Sequence, residues 1–468
     1  MNQYVAGQKT NLPPIYELGD DFYDIVEPVK FPHPKLQYKN PSLALENIKG
    51  FTWDHLCHFK ALENNIKAPL ALRYHGHQFR HYNPDLGDGR GFLYAQIFNG
   101  QHWYDLGTKG SGTTPYSRSG DGRLTLKGAV REALATEMLE SYGVDTSKTA
   151  CFFETGEKLI RYDEPSPTRS AVLTRFSRGH IRIGTFQRLA YYKQISQIKK
   201  LTQYCLKLYY TQESQTIDWD NDQEISTRFF QCVSEKLAQQ AAQLMVSGFV
   251  HGVLNSDNIN ISGELFDYGP YRFLPHYDPH FTAAYFDQNG LYAFGRQPES
   301  IFWNLARLGE SLLLAYPDLP LQIMLENFED LFNDNLYDYF QKKLNVKFKT
   351  DDQTTQALQL FFTMASKTRL LFEKLFFSLH SANIQKENNE IIQFKEFKEL
   401  RSLIEGSDVL NQQIHHNSYF QRDEPETLII NEIENIWNEI DQNNDWSLFH
   451  QKIESIRAMR GCYNYSSL

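Results

Sequence analysis

Two carboxylates and one amide occupy the part of this sequence best suited to chemistry. The stretch His251-Gly-Val-Leu-Asn-Ser-Asp-Asn258 is followed, after a short insert, by Asp267-Tyr-Gly269. Magnesium is a hard cation that takes oxygen ligands, usually only one or two of them from protein, and leaves the rest to phosphate and water. Asn258 and Asp267 supply that number. Asp257 then remains to accept a proton from a hydroxyl. Taken alone, an Asp-Asn pair or an Asp-Tyr-Gly tripeptide is more often a turn than a site, so the weight falls on what surrounds them.

Residues 259–261 and 265–266 are apolar and flank Ser262-Gly-Glu264, a pattern that predicts strand, tight turn, strand. Such a hairpin would return the two ligands to neighbouring positions. Protein kinases hold their metal ions with a catalytic-loop Asn and an Asp at the head of a D-F-G segment. In those enzymes the catalytic Asp precedes the Asn by five residues. Here that count reaches Val253, which cannot take a proton. Either catalysis is lost, or Asp257 is the base and the chemistry has changed.

The elements that must position these residues come earlier. Asp85-Leu-Gly-Asp-Gly-Arg-Gly91 leads into two strand-like runs separated by Asn99-Gly100, a strong hairpin signal, and the second run ends at Lys109. A second glycine segment, 110–122, carries Arg118 beside it. A helix is expected from about 124 to 142, with Leu126, Val130, Leu134, Met138 and Tyr142 as its buried stripe and Gly143 as its stop. Glu132 is the candidate partner for Lys109, with Glu137 as runner-up. Residues 171–175 read as a strand ending in Arg175, and Arg182 follows seven residues later; two such arginines can clamp phosphate oxygens. Helices are expected over about 185–210 and 225–247. The aromatic, loop-like 270–298 segment is suited to receiving a substrate. Three histidines within Tyr74-His-Gly-His-Gln-Phe-Arg-His81 have no Cys or acidic partner at ligand spacing, which favours hydrogen-bonded structural histidines over a metal centre.

Composition sets bounds. A net charge of −10 over 468 residues argues against a general nucleic-acid binder. No apolar run approaches the roughly 18 residues needed to span a bilayer, and the first residues lack the pattern of a secretory signal, so a cytoplasmic, membrane-free protein is expected. The five cysteines, at 57, 151, 205, 232 and 462, show no C-x-x-C spacing. Buried reduced thiols are the expectation, with Cys462 the most exposed, in a mobile tail.

Taken in order, Leu86-Gly-Asp-Gly-Arg-Gly91, Lys109-Gly-Ser-Gly112, Thr114-Pro-Tyr-Ser-Arg118, Gly120-Asp-Gly-Arg123, Arg131-Glu132, the 251–258 stretch, Asp267-Tyr-Gly-Pro270 and Trp303-Asn-Leu-Ala-Arg-Leu308 resemble the selenoprotein O family of pseudokinase-like protein adenylyltransferases. The resemblance covers roughly residues 15–320 and weakens after 400. It implies an α+β, protein-kinase-like two-lobed fold. On that reading 1–65 is an extended wrapping segment, 66–180 the N-lobe, 181–320 the C-lobe and 321–468 a helical C-terminal region. It also implies ATP bound in reverse, with AMP transferred to Ser, Thr or Tyr hydroxyls of protein substrates. Gly87, Gly89, Arg90, Asp121 and Gly122 would line the nucleotide site, and Lys109, Arg175 and Arg182 would hold the far phosphates, with Glu132 orienting the lysine. Asp257 would be the base, and Asn258 and Asp267 the ligands of magnesium, or of manganese. A conventional phosphotransferase and a silent nucleotide-binding scaffold are the alternatives. Two features depart from the family. Cys462 is displaced from the usual terminal position, and no cysteine lies between 233 and 461 to pair with it, so a redox latch onto the loop after Asp-Tyr-Gly cannot form. Asp257 and Asn258 also pose a geometric demand, because neighbours on an extended strand face opposite ways.

Overall fold

The computed structural model describes residues 12–48, 51–162, 164–386, 390–463 and 465. Period-two apolar runs build one antiparallel sheet of eight strands. In chain order these are β1 (Tyr23–Ile25), β2 (Lys35–Lys39) and, after helix α1 (Trp53–His58), β3 (Leu70–Leu72). A separate small hairpin, β4 (Gly76–Gln78) and β5 (His81–Asn83), precedes β6 (Leu93–Phe98) and β7 (Trp103–Lys109). Then follow β8 (Leu124–Thr125), helix α2 (Leu126–Ser141), β9 (Lys148–Leu159) and β10 (Thr168–Ser177). The strand order is β1-β3-β6-β7-β10-β9-β2, with β8 paired to β10. The N-terminal segment therefore does more than wrap: it supplies both edge strands.

Alternation along β10 shows how the sheet separates two apolar layers. Ala171 and Leu173 face the cluster that includes Val130, Leu134 and Met138 of α2, whereas Val172 joins Leu56, Ile97 and Phe153 on the other face. The Asn99-Gly100 turn forms as expected, with Gly100 at φ +98° and the Asn99 side chain accepting from the Gln101 and His102 amides. Helix α2 is capped by the Thr125 hydroxyl on the Gly128 amide and ends ahead of Gly143 at φ +69°.

Beyond the sheet the described chain is mainly helical. The helix expected over 185–210 is two, α3 (Ile183–Tyr191) and α4 (Ile195–Tyr209), broken where Lys193 adopts φ +55°. Helix α5 (Asp222–Ser247) carries the long amphipathic stripe and delivers the chain through β11 (Phe249–Val250), paired with β12 (Arg272–Phe273), to the site. Helices α6 (Gln297–Leu313), α7 (Leu321–Glu326), α8 (Phe328–Leu344), α9 (Asp351–Lys367), α10 (Phe372–Leu379), α11 (Lys395–Glu405), α12 (Ile430–Asn443) and α13 (Ser447–Met459) complete it. Among the described residues no helix is long and apolar enough to cross a membrane.

Two expectations are corrected. The 259–266 stretch turns at Ser262-Gly263 but its arms do not pair with each other. The first arm bonds the strand-like chain before α3, Ile183 N–H to Ile259 O and Ile261 N–H to Ile181 O. The second bonds the segment after α2, Leu265 N–H to Asp145 O and Ser147 N–H to Leu265 O. The backbone groups are thus satisfied by two different neighbours, which stitch the two ligand-bearing segments into the fold. Cys462, expected to be exposed, is buried at 1 %. Helix α13 folds it back onto the core, and the Tyr463 hydroxyl that follows donates to Glu373 at 2.8 Å.

Candidate functional site

Three cations and three carboxylates converge below the glycine segments. Lys109, at the end of β7, lies beside β10, which carries Arg175, and α2 crosses behind both. Lys109 Nζ donates to Glu132 Oε2 at 2.6 Å, and Arg175 Nη2 donates to Glu132 Oε1 at 2.7 Å. The Glu132 side chain is 1 % exposed. Its burial is tolerable only because both oxygens are paired, and the two cations hold its carboxyl below the ordinary value against the opposing effect of burial. Glu137, the runner-up, lies on another side of α2 and pairs with Arg457 and Arg460 instead.

Asp267 closes the cluster. Its Oδ1 accepts from Arg175 at 2.8 Å and its Oδ2 from Arg182 at 2.8 Å, with Lys109 Nζ 3.5 Å away. Burial would raise this carboxyl, but Arg175, Arg182 and Lys109 outweigh it and hold Asp267 well below the usual carboxylate range. Arg182 is held by two rings and three oxygen acceptors. Its guanidinium lies 4.4 Å from the Tyr74 ring and 4.7 Å from the Phe266 ring. It also donates to the Asp257 carbonyl at 2.8 Å and to Asp88 at 3.3 Å.

The geometric demand on Asp257 and Asn258 is met by a turn of 3-10 helix over Ser256–Asn258. Both residues consequently line one cavity of ≈ 910 Å³. Three contacts hold the bend: the Ser256 hydroxyl accepts the His77 amide at 2.7 Å, and Asn255 Oδ1 accepts the Phe79 amide at 3.0 Å and the Tyr292 hydroxyl at 2.5 Å. Strand β4 passes so close that a Cβ at Gly76 would sit 3.0 Å from Asp257 Cβ. Burial pushes the Asp257 carboxyl up to about 6, with Arg182 opposing, and its Oδ1 has no hydrogen-bond partner among the described residues. Asn258 donates its amide hydrogen to the Val253 carbonyl at 3.0 Å, which leaves its own side-chain oxygen for another partner.

The same cavity is lined by Gly87, Gly89, Arg90, Lys109, Asp121, Gly122, Arg175, Arg182 and Asp267. Of the residues expected at the site, Glu132 alone is absent from the lining and stands behind Lys109. Asp121 pairs with Arg161 at 2.8 Å, and both line the cavity. Gly122 holds φ +69°, and a Cβ there would lie 2.2 Å from the Gly112 carbonyl carbon. Gly122→Ala is therefore expected to cost at least about 1–2 kcal/mol from the left-handed backbone alone and to weaken nucleotide binding. Urea unfolding and a fluorescent-nucleotide titration check both effects.

Sequence reasoning missed Tyr74, Gly76, Asp88, Asn255 and Tyr292. Asp88 had a visible signal, a carboxylate between two glycines of a phosphate-loop pattern; the others act through contacts distant in sequence. The histidines of 75–81 serve as hydrogen-bonded groups, His75 with Tyr82 at 2.7 Å and His77 with Gln187 at 2.7 Å. Among the described residues no group of three or more His, Cys, Asp and Glu side chains could by itself hold a metal. The donors expected to hold a metal, the side-chain oxygen of Asn258 and the Asp267 carboxylate, are hard oxygens, and each Asp267 oxygen here also accepts from an arginine. They fit an ion that takes one or two protein ligands and completes its shell with phosphate and water.

A profile of the family described as protein adenylyltransferase SelO matches residues 8–457. The chain belongs to the SelO family. It is 49 % identical over 328 residues to a protein nucleotidyltransferase YdiU of Synechocystis, covering 68 % of this chain and 67 % of that protein. The YdiU protein nucleotidyltransferase of Trichodesmium erythraeum is 39 % identical over 466 residues, covering 95 % and 97 %. That of Trichormus variabilis is 37 % identical over 468 residues, covering 95 % of each. The SelO match thus extends past the region where the sequence motifs are dense, through α12 and most of α13.

Proposed function

We propose that this SelO-family chain is a protein adenylyltransferase, transferring AMP from ATP to Ser, Thr or Tyr hydroxyls of protein substrates and releasing pyrophosphate. Support comes from family membership over nearly the whole chain and from the relatives named protein nucleotidyltransferases. One observation carries the chemistry: Val253 and Asp257 line the same cavity as Asn258 and Asp267, so the position five residues before the amide is apolar and the only acid of that loop is the one next to the amide. We read the sheet with α2 as the N-lobe of a kinase-like fold and the helices from α3 to α6 as its C-lobe.

In this reading the nucleotide lies with its α-phosphorus near Asp257. The carboxylate takes the proton of the acceptor hydroxyl as its oxygen bonds to the α-phosphorus. The α–β phosphoanhydride bond breaks, and pyrophosphate leaves against Lys109, Arg175 and Arg182. Phosphorus transfer of this kind depends on positioning and charge compensation more than on covalent chemistry. A magnesium or manganese ion held by Asn258 and Asp267 would add positive charge beside the reacting phosphate. Arg90, Asp121 and the glycines at 87, 89 and 122 contact the rest of the nucleotide.

The test is incubation with ATP labelled at either the α- or the γ-phosphate. Label entering the protein itself or lysate proteins from the α position only, abolished by Asp267→Ala, is the expected result. Label from the γ position only would make the chain a conventional phosphotransferase. Neither label would leave a nucleotide-binding scaffold.

A further inference from the structure

Helix α2 carries two buried glutamates that face different partners. Glu132 and Glu137 are five residues apart, which places them about 140° apart around the helix axis. Glu132 meets Lys109 and Arg175 of the site. The Glu137 side chain, 2 % exposed, meets the C-terminal helix. Arg457 donates to both of its oxygens, at 2.5 and 3.0 Å, and Arg460 donates to Oε2 at 2.8 Å. The Tyr38 hydroxyl of β2 donates to it at 2.7 Å and Asn40 at 3.3 Å. Arg457 also bridges to Tyr38 and Asn40, and Arg460 reaches Glu140, the next acid along α2, at 2.8 Å. Ser141, at the last turn of α2, donates to the Ile456 carbonyl at 3.1 Å.

We propose that α13, through Arg457 and Arg460 on Glu137, is a positioning clamp that sets the rotation and height of α2 and so places Glu132 on Lys109 and Arg175. A buried carboxylate without a counter-charge is costly. Turning α2 by one residue would strip the partners from both glutamates at once, so with the clamp in place the helix has one satisfied orientation. Without it, Glu137 keeps only the neutral donors Tyr38 and Asn40, and α2 is held by its apolar packing on the sheet and by the site end, neither of which supplies a counter-charge for Glu137. The same helix also grips the segment after Asp267: Arg131 donates to the Tyr271 carbonyl at 3.1 Å, and the Tyr271 hydroxyl donates back to the Arg131 carbonyl at 2.7 Å. The C-terminal helix thus acts on both halves of the charged cluster while touching no atom of the cavity. Arg457 and Arg460 are positioning residues for the transfer proposed above.

The inference uses that reading for one readout and is independent of it for the other. The experiment compares the full-length double variant Arg457→Met/Arg460→Met with wild type and with Lys452→Met. Lys452 bridges Glu426 and Glu432 within the C-terminal unit, at 2.6 and 2.8 Å, and serves as a control for general weakening of that unit. At a temperature where all three are folded, the double variant is expected to exchange the amides of 126–141 at least tenfold faster than wild type. Its kcat for α-label transfer should fall at least tenfold, with Arg457→Lys recovering most of the loss. Lys452→Met should lower the unfolding temperature without either effect. Unchanged α2 exchange in the double variant would overturn the clamp, whatever the transfer assay gives. So would an unchanged kcat in a chain whose wild type transfers label. Absence of transfer in wild type would count against the proposed activity alone.

Discussion

Glu132→Ala is expected to destabilise the fold by about 3–5 kcal/mol, the usual cost of removing one partner from a buried ion pair. Lys109 and Arg175 side chains are 7 % and 6 % exposed, so water reaches them only through the cavity they line. Arg175 keeps Asp267 at 2.8 Å, but Lys109 is left with an acceptor 3.5 Å away. The loss should show as a lower urea midpoint with an unchanged slope. Saturation with magnesium and ATP should recover part of it, because phosphates supply the missing negative charge. A midpoint within experimental error of wild type would mean that the carboxylate is not what holds these cations in place.

Asp257→Ala is expected to lower the transfer rate about 10²- to 10⁴-fold, the range for a positioned general base, while nucleotide affinity stays within a few-fold of wild type. The reasoning is that the carboxylate acts on the acceptor's proton and makes no ion pair among the described residues. Its Oδ1 has no hydrogen-bond partner among the described residues, and what it meets is close backbone at Gly76. Loss of a group used only in the transition state lowers kcat and leaves ground-state binding intact. Nucleotide titration beside single-turnover labelling separates the two quantities. A variant that transfers at the wild-type rate would remove Asp257 from the base role.

The parts of the molecule legible in the sequence are those whose signals are local. Asn99-Gly100 announced its hairpin, the apolar stripe of α2 announced a helix, and the order of strand, lysine and helix narrowed the lysine's partner to Glu132 or Glu137. The choice between Glu132 and Glu137 was not local. It depended on Arg457 and Arg460, some 320 residues away along the chain, and no periodicity carries that information. The 259–266 stretch failed for a related reason. Apolar arms flanking a glycine turn describe a hairpin, yet here each arm finds a different strand-like partner and satisfies its backbone there. Cys462 was misjudged because a polar, glycine-containing terminus reads as loose chain. Cys462 is instead held against the end of α13, its thiol donating to the Ala458 carbonyl at 3.3 Å, and the Tyr463 that follows is anchored on Glu373. The adjacency of Asp257 and Asn258 makes the bend at Ser256–Asn258 a requirement legible in the sequence, but its supports, Gly76, His77 and Tyr292, lie in segments whose own motifs point elsewhere.

The most direct measurement is a structure with a non-hydrolysable ATP analogue and magnesium bound. The account predicts the α-phosphate beside Asp257, between Asn258 and Asp267, with the β- and γ-phosphates directed to Lys109, Arg175 and Arg182. Adenine seated deep in the cleft in the ordinary kinase manner, with the γ-phosphate beside Asp257, would contradict it.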